Sequence, residues 1–152
     1  MTANAVLLSD FTDPRFRAAF RAYFGELEIS VRDWEGLFRE MDEEGNNRAY
    51  LLPDDAGGAL GFLQFQMTGF ENWFFQEPVG FIREFWVHPA YRRQGYGGVL
   101  LRIAEAYFAK QGAYRAVLTA DDAVTFYLAH GYRKAPGIKA KNKMEVLVKD
   151  LI

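Results

Sequence analysis

The stretch that decides the fold is residues 87–101, VHPAYRRQGYGGVLL, in which an apolar strand is followed by three glycines and then by an apolar helix. Gly95, Gly97 and Gly98 lie close together, and two arginines precede them. The first amides of a helix have no intrahelical acceptor, and the helix dipole favours negative charge at that end. Glycines let a phosphate approach such amides because they carry no Cβ. The stretch therefore predicts either a tight strand-to-helix turn or a backbone site for an anion.

Two known phosphate-binding motifs do not account for this loop. A P-loop requires the pattern G-x-x-x-x-G-K-S/T, which the chain lacks. A dinucleotide fingerprint, G-x-G-x-x-G, would need its third glycine where the chain has Leu100. An anion at this loop would therefore be held in a different manner.

Apolar periodicity predicts the element order β-α-α-β-β-β-α-β-α-β-β along the chain. Asp13 followed by Pro14 is typical of a helix start, and Ser30 with Asp33 resembles a capping box at the next helix. The segment ENWFFQEPVG, residues 71–80, is expected to be an aromatic connection between two strands. No linker or repeat interrupts the pattern, so we expect one α/β (α+β) domain with a mixed sheet and helices on both faces, over residues 1–152.

Composition and charge narrow the class of protein. Half of the 152 residues are hydrophobic and none is cysteine, which excludes disulfides, a thiol nucleophile and thiolate metal sites. With no bilayer-spanning apolar run and no secretory signal, we expect a cytoplasmic protein that does not bind membranes. Net charge is −8 up to residue 80 and +6 from residue 81 onward. This asymmetry either has no function or indicates that the C-terminal half holds a polyanionic ligand and that a cationic group lies near the N-terminal half. The basic residues are too sparse for a surface that binds nucleic acid.

Residues 87–101 resemble the signature of the GNAT superfamily of acyl-CoA-dependent N-acyltransferases, V-x-P-x-x-R/Q-x-x-G-x-G/A. The matching positions are Val87, Pro89, Arg92, Gly95 and Gly97. The resemblance implies a mostly antiparallel sheet and acetyl-coenzyme A as co-substrate. It also implies that the coenzyme's pyrophosphate lies on the backbone amides of Arg93, Gln94, Gly95, Tyr96, Gly97 and Gly98, with Arg92 at the rim. An amide near Val87 would polarise the thioester carbonyl.

A second motif of the same family, A-x-x-F-Y-x-x-x-G-F/Y, resembles residues 123–132, AVTFYLAHGY. It implies that Tyr127 is the general acid for the leaving thiolate, a role that suits a phenol because it stays protonated at neutral pH. The spacing alone is equally compatible with a core aromatic on a short helix. The family often has asparagine where this chain has Ala120, so that contact with the pantetheine arm is missing or replaced, with Asp121 and Asp122 as candidates.

An amine must lose a proton to attack a thioester, and Glu84 is the candidate base, directly or through water. The strand pleat places Glu84 and Trp86 on one face, where burial among aromatic rings would raise the carboxyl pKa. The alternative is an ion pair between Glu84 and Arg83 or another arginine. Neither histidine has the partners of a metal site, so no metal is expected.

The resemblance also implies that the segment joining the first two helices contributes to the acceptor pocket, where Glu26 and Glu28 are candidates to meet an ammonium group. We therefore expect acetyl transfer from acetyl-coenzyme A to the primary amine of a small or cationic acceptor by direct attack. The aromatic segment and the C-terminal strands leave room for a homodimer. Two alternatives stay open: a non-catalytic acyl-CoA-binding sensor or assembly module of the same fold, and a structural protein that binds no nucleotide.

Overall fold

The computed structural model describes residues 4–71 and 74–151. In this part of the chain, four α-helices and seven strands follow the order predicted from the sequence, and one 3₁₀ turn, Pro89–Tyr91, precedes the third helix. The bounds are β1 Val6–Leu8, α1 Pro14–Glu26, α2 Trp34–Glu44, β2 Asn47–Pro53, β3 Ala59–Glu71, β4 Gln76–Val87, α3 Tyr96–Lys110, β5 Arg115–Ala120, α4 Val124–Ala129, β6 Arg133–Lys134 and β7 Glu145–Asp150.

The strands are hydrogen-bonded in the order β1-β2-β3-β4-β5-β7-β6. β1 and β2 are antiparallel, as are β5 and β7 and also β6 and β7. β4 and β5 are parallel, with Val79 opposite Arg115. The predicted fold class, an α/β (α+β) chain with a mixed and mostly antiparallel sheet, is confirmed.

Internal contacts divide the chain into two compact units. Unit 1 comprises Met1–Phe65 with Glu84–Ile103, and unit 2 comprises Gln66–Arg83 with Ala104–Ile152. β3, β4 and α3 each contribute residues to both units. The single domain over residues 1–152 stays a prediction.

The core of unit 1 is built from aromatic side chains of α1, α2 and β3. Asp13 is the N-cap of α1, and its carboxylate accepts a hydrogen bond from Arg15 N at 2.8 Å. The helix then buries Phe16 and Phe20, whose rings both contact the ring of Phe62. The other buried members are Phe11, Ala19, Phe38, Met41, Ala49, Leu51, Ala59 and Trp86. β3 is buried without alternation from residue 59 to residue 65, which explains its irregular apolar pattern.

The core of unit 2 lies between the second half of α3 and strands β5 and β7. Phe108, Leu118 and Leu147 are buried there. Gly80 in β4 lies directly against the Phe108 ring, since an added Cβ would be only 2.3 Å from its Cδ2 atom. Glycine is therefore required at this position by close packing.

Two local predictions are wrong. Ser30 and Asp33 do not form a capping box, because Asp33 is itself the N-cap of α2 and accepts from Gly36 N at 2.9 Å. The connection predicted over residues 71–80 is shorter, because β3 continues to residue 71 and β4 begins at residue 76. Of its aromatic residues, Phe74 and Phe75 are exposed, and position 73 lies outside the described residues.

Candidate functional site

The loop between the 3₁₀ turn and α3 leaves a row of backbone amides without acceptors. Arg93 (φ 62°) and Gly95 (φ 90°) both have left-handed backbone conformations, which are uncommon for a residue other than glycine. Among the described residues, the amides of residues 93–98 donate to no protein acceptor, and the first hydrogen bond at this end of α3 runs from Val99 N to Gly95 O at 3.1 Å. Six consecutive amides thus precede or open a helix of 15 residues, whose dipole favours an anion.

The side chains of this loop leave its backbone accessible. An added Cβ on Gly95 would meet nothing within 4 Å, so glycine is needed there for its φ and not for close packing within the protein. The side chains of Arg93 and Gln94 are exposed, and Tyr96 is half-buried beside Tyr91. Gly97 and Gly98 lie in the first turn of α3. A group with several acceptor oxygens, such as a pyrophosphate, fits this backbone surface.

Arg92 connects the loop to the end of α1. Its Nε donates to Val87 O at 2.8 Å, and its Nη2 donates to a carboxylate oxygen of Glu26 at 2.7 Å. The same oxygen accepts from Trp86 Nε1 at 2.9 Å. The hydrogen bonds from Trp86 and Arg92 hold the pKa of Glu26 below its ordinary value of 4.5, so this carboxylate is charged at neutral pH. Arg92, expected at the rim of an anion site, is thus also part of the scaffold, and Glu26 is already bound to two donors.

Glu84 is half-buried on β4 and accepts a hydrogen bond from the hydroxyl of Tyr23 at 2.8 Å. Tyr23 and Glu26 both belong to the last turns of α1, so this helix supplies the donor to Glu84 and the acceptor for Trp86 and Arg92. Trp86, which the sequence predicts on the same face as Glu84, is buried and also bonds to a residue of α1, Glu26. A half-buried carboxylate whose position is fixed by a hydrogen bond is a chemical group that can accept a proton from an amine, directly or through water.

Glu28 lies two residues beyond the end of α1 and has a left-handed backbone with φ 60°. Its side chain is exposed, and its amide donates to Gly25 O at 3.1 Å. Its carboxylate forms no ion pair with any residue that the structure describes. It therefore presents a negative charge to solvent at the turn between α1 and α2.

In unit 2, Tyr127 is buried on the short helix α4, with 7% of its surface exposed. Its ring contacts those of Phe126 and Tyr132, with ring centroids 5.2 and 5.6 Å away. Burial raises the pKa of the phenol, and the charge of Asp122 raises it further. Tyr127 is therefore a protonated hydrogen-bond donor at any physiological pH.

At the end of β5 the side chain of Ala120 is buried and offers no polar contact, while Asp121 and Asp122 are exposed. An amide side chain does bond to the residue before Ala120, because Asn142 Nδ2 donates to Thr119 Oγ1 at 3.0 Å. Asn142 comes from the loop before β7, so nothing in the local pattern around Ala120 could have indicated it.

Both histidines bond to nearby backbone groups. His88 Nδ1 accepts from Ala90 N at 3.0 Å, and His130 Nδ1 lies 2.9 Å from Phe126 O. Within residues 4–71 and 74–151, no three side chains of the metal-ligating types lie close enough together to hold an ion. No helix in these ranges has the length and hydrophobicity needed to cross a membrane.

Comparison with known proteins gives a family match and many similar folds. The family model described as the acetyltransferase (GNAT) family matches residues 10–132, most of the chain. No curated protein sequence matched the chain.

The solved structures with similar folds include acyltransferases of different acceptors. A candidate acyl-CoA N-acyltransferase from Klebsiella pneumoniae is 18% identical, with 99% of both chains covered and a TM-score of 0.68. An aminoglycoside acetyltransferase from an uncultured soil metagenomic sample is 19% identical, with 89% of this chain and 94% of the other covered and a TM-score of 0.71. N-acetylglutamate synthase from Neisseria gonorrhoeae, complexed with coenzyme A and N-acetyl-glutamate, is 16% identical with a TM-score of 0.73; all of this chain matches 36% of that protein. At these identities the similarity shows the fold.

Proposed function

The chain belongs to the acetyltransferase (GNAT) family, and from that premise we propose that it transfers an acetyl group from acetyl-coenzyme A to the primary amine of a small or cationic acceptor by direct attack. The observation that carries the proposal is the row of amides at residues 93–98, none of which donates to a protein acceptor that the structure describes. The first amides of a helix have no intrahelical acceptor, and the glycines at this helix start let the oxygens of a pyrophosphate approach them.

The loop would bind the donor mainly through its backbone. The amides of Arg93, Gln94, Gly95, Tyr96, Gly97 and Gly98 would receive the phosphate oxygens. Arg92 holds the loop to Val87 O and adds a positive charge beside it. A backbone amide near Val87 would donate to the thioester carbonyl and so stabilise the oxyanion that forms on attack. Acetyl-coenzyme A would supply the acetyl group as an activated thioester.

Glu84 would accept the proton that the attacking amine must lose. The nitrogen forms a bond to the thioester carbon, and the C–S bond then breaks to release a thiolate. The hydrogen bond from Tyr23 orients the Glu84 carboxylate. Glu84 returns its proton to solvent before the next turnover.

Tyr127 would donate its proton to the departing sulfur and recover one from solvent. Its raised pKa makes the phenol a weaker acid than a free tyrosine, so its contribution is largest after the C–S bond has begun to break.

The charges of the α1–α2 segment support a cationic acceptor. Glu26 is ionised and bound by Trp86 and Arg92, whereas Glu28 is exposed on a turn. Glu28 is therefore the better placed of the two to attract an ammonium group, and Glu26 would act mainly through Arg92. Among the similar proteins, one is an aminoglycoside acetyltransferase and another is an N-acetylglutamate synthase, so the acceptor of this chain must be found by experiment.

The test combines binding and turnover. Calorimetry with coenzyme A should show binding, and release of free thiol from acetyl-coenzyme A should accelerate with at least one member of a panel containing a polyamine, an aminoglycoside, amino acids and a peptide N-terminus. Binding without thiol release for every amine would favour the non-catalytic module, and no binding would contradict both.

Tyr127→Phe tests the acid. Because it removes one oxygen from a packed ring, it should lower kcat by about 100-fold or more and leave acetyl-coenzyme A affinity nearly unchanged. Tyr114→Phe is the matched control, since Tyr114 is 53% exposed. Equal kcat in the Tyr127 variant and the wild type would refute the acid role.

A further inference from the structure

A buried polar network joins α3, the end of α4 and β7 within unit 2. Glu105, in the middle of α3, is only 8% exposed. One of its carboxylate oxygens accepts from the hydroxyl of Tyr132 at 2.7 Å, and the other accepts from Lys149 Nζ at 2.9 Å. The same ammonium lies 5.7 Å from the centroid of the Tyr132 ring. Both oxygens of a buried carboxylate are thus bound by specific donors.

Stability alone is a poor explanation for this arrangement. Burying an ion pair removes two charges from water, and well-packed apolar residues of similar volume are often as stable or more stable. The network instead fixes the relative positions of Glu105, Tyr132 and Lys149, because each hydrogen bond forms in only one arrangement of its donor and acceptor. Tyr132, which is 3% exposed, is held by its hydroxyl at a defined point on α3.

The ring that the network fixes lies against Tyr127. The two ring centroids are 5.6 Å apart with an interplanar angle of 69°, an edge-to-face contact. Tyr132 N also donates to the backbone carbonyl of Tyr127 at 3.1 Å, so the two residues are joined through the backbone as well as by their rings. Gly131 makes this return possible with φ 92°, and a Cβ there would lie 3.3 Å from Lys149 Cε.

We propose that Glu105, held by Lys149, is a positioning residue for the Tyr127 phenol and acts through Tyr132. The proposal rests on the proposed function in assigning Tyr127 as the acid, but the contact itself can be tested without turnover. Once the hydroxyl of Tyr132 is released from Glu105, its ring loses the hydrogen bond that fixes its position on α3. The Tyr127 ring then has a less rigid neighbour on this side, and a small displacement of a reacting group lowers the rate strongly.

The kinetic test uses the conservative variants Tyr132→Phe and Glu105→Gln. Each should lower kcat for thiol release from acetyl-coenzyme A by about ten-fold, with the dissociation constant of coenzyme A changed by less than about two-fold. In a Tyr127→Phe background, Tyr132→Phe should lower kcat no further, because the group that it positions is gone. A purely structural role would lower kcat equally in both backgrounds, and that result would overturn the proposal.

Two matched controls separate this effect from general perturbation. Asp150→Asn removes an exposed ion pair with Arg133 in the same unit, and Tyr114→Phe removes an exposed hydroxyl. Both should retain wild-type kcat. Circular dichroism identifies any variant that fails to fold. If Glu105→Gln does not fold, Tyr132→Phe tests the same contact, because it keeps the ring and removes only the hydroxyl.

The second test needs no acceptor. Fluorine NMR of protein labelled with 3-fluorotyrosine gives one resonance for each of the eight tyrosines, and Tyr127→Phe assigns that of Tyr127. This resonance should shift or broaden in Glu105→Gln and stay in place in Asp150→Asn. An unmoved resonance overturns the proposal. If it moves while the wild type releases no thiol with any amine, the positioning contact stands and the proposed enzymatic function fails.

Discussion

Gly61→Ala should disturb the loop that is proposed to bind coenzyme A, although residue 61 lies on a different strand. Gly61 is buried on β3, and an added Cβ would lie 2.6 Å from Trp86 O and 3.2 Å from Val87 Cα. Both neighbours are backbone atoms of β4, so no side-chain rotation can relieve the contact. β3 and β4 would have to separate at the point where His88 N donates to Leu60 O at 2.7 Å.

The size of the effect follows from this geometry. The contact with Trp86 O is about 0.8 Å shorter than the 3.4 Å at which ordinary contacts begin. Overpacking of this kind costs about 1–3 kcal/mol, and replacing glycine by alanine in a strand returns about 0.5–1 kcal/mol. Because both neighbours are backbone atoms, we take the upper part of the overpacking range, and the resulting net loss of about 1–2.5 kcal/mol lowers the melting temperature of a chain of this size by about 2–10 °C. Because Val87 O is the acceptor of Arg92 Nε, the same displacement moves the loop, and we expect coenzyme A affinity to fall by about ten-fold.

Thermal unfolding followed by circular dichroism, with calorimetric titration of coenzyme A, measures both effects. Gly25→Ala is the matched control, because a Cβ there meets nothing within 4 Å. It should stabilise α1 by up to about 1 kcal/mol and leave affinity unchanged. An unchanged melting temperature for Gly61→Ala would refute the packing argument, and lost stability with unchanged affinity would refute the link to the loop.

Three further substitutions test packing and charge. Gly80→Ala should cost about 1–3 kcal/mol in urea unfolding, because its Cβ would overlap the buried ring of Phe108. Lys149→Met should cost about 2–4 kcal/mol by leaving the Glu105 carboxylate buried without its cation, and adding Glu105→Gln should restore part of that loss; no restoration would mean that the ion pair is not the cause. Arg92→Leu should move the pKa of Glu26 upward toward 4.5, as measured by carboxyl NMR titration. The Glu26 pKa is lowered in the folded protein, so the contact with Arg92 stabilises the fold above about pH 4.5, and this stabilisation is lost as the pH falls through the lowered pKa. An equal Glu26 pKa in wild type and variant would contradict this.

The order of elements could be predicted because its signals are local. Asp13 and Pro14 start α1, and Gly45, with φ 81°, ends α2. The glycine loop could be located for the same reason, since its residues are contiguous. The predicted capping box is wrong because Ser30 and Asp33 have the spacing of that motif, whereas in the structure the carboxylate of Asp33 alone caps α2.

The partners of the site residues could not be predicted, because they are distant in the sequence. Tyr23 and Glu84 are separated by 61 residues, and Glu26 and Arg92 by 66. Glu105 was missed for a related reason. Among the apolar residues of α3 a glutamate is expected to face solvent, and only Tyr132 and Lys149, 27 and 44 residues away, make its burial favourable.

Arg92 makes two contacts that differ in what they would contribute to the proposed binding of a phosphate. Its ion pair with Glu26 is about 40% exposed on both sides, and exposed pairs contribute about 0–1 kcal/mol. A phosphate could therefore share this guanidinium at little cost in stability. The hydrogen bond from Nε to Val87 O is a different matter, because it sets the path of the chain into residues 93–98. A lysine could supply the charge but has no second, fixed N–H group with which to hold that path. In the proposed function, affinity would therefore come mainly from the backbone amides, and Arg92 would hold them in place.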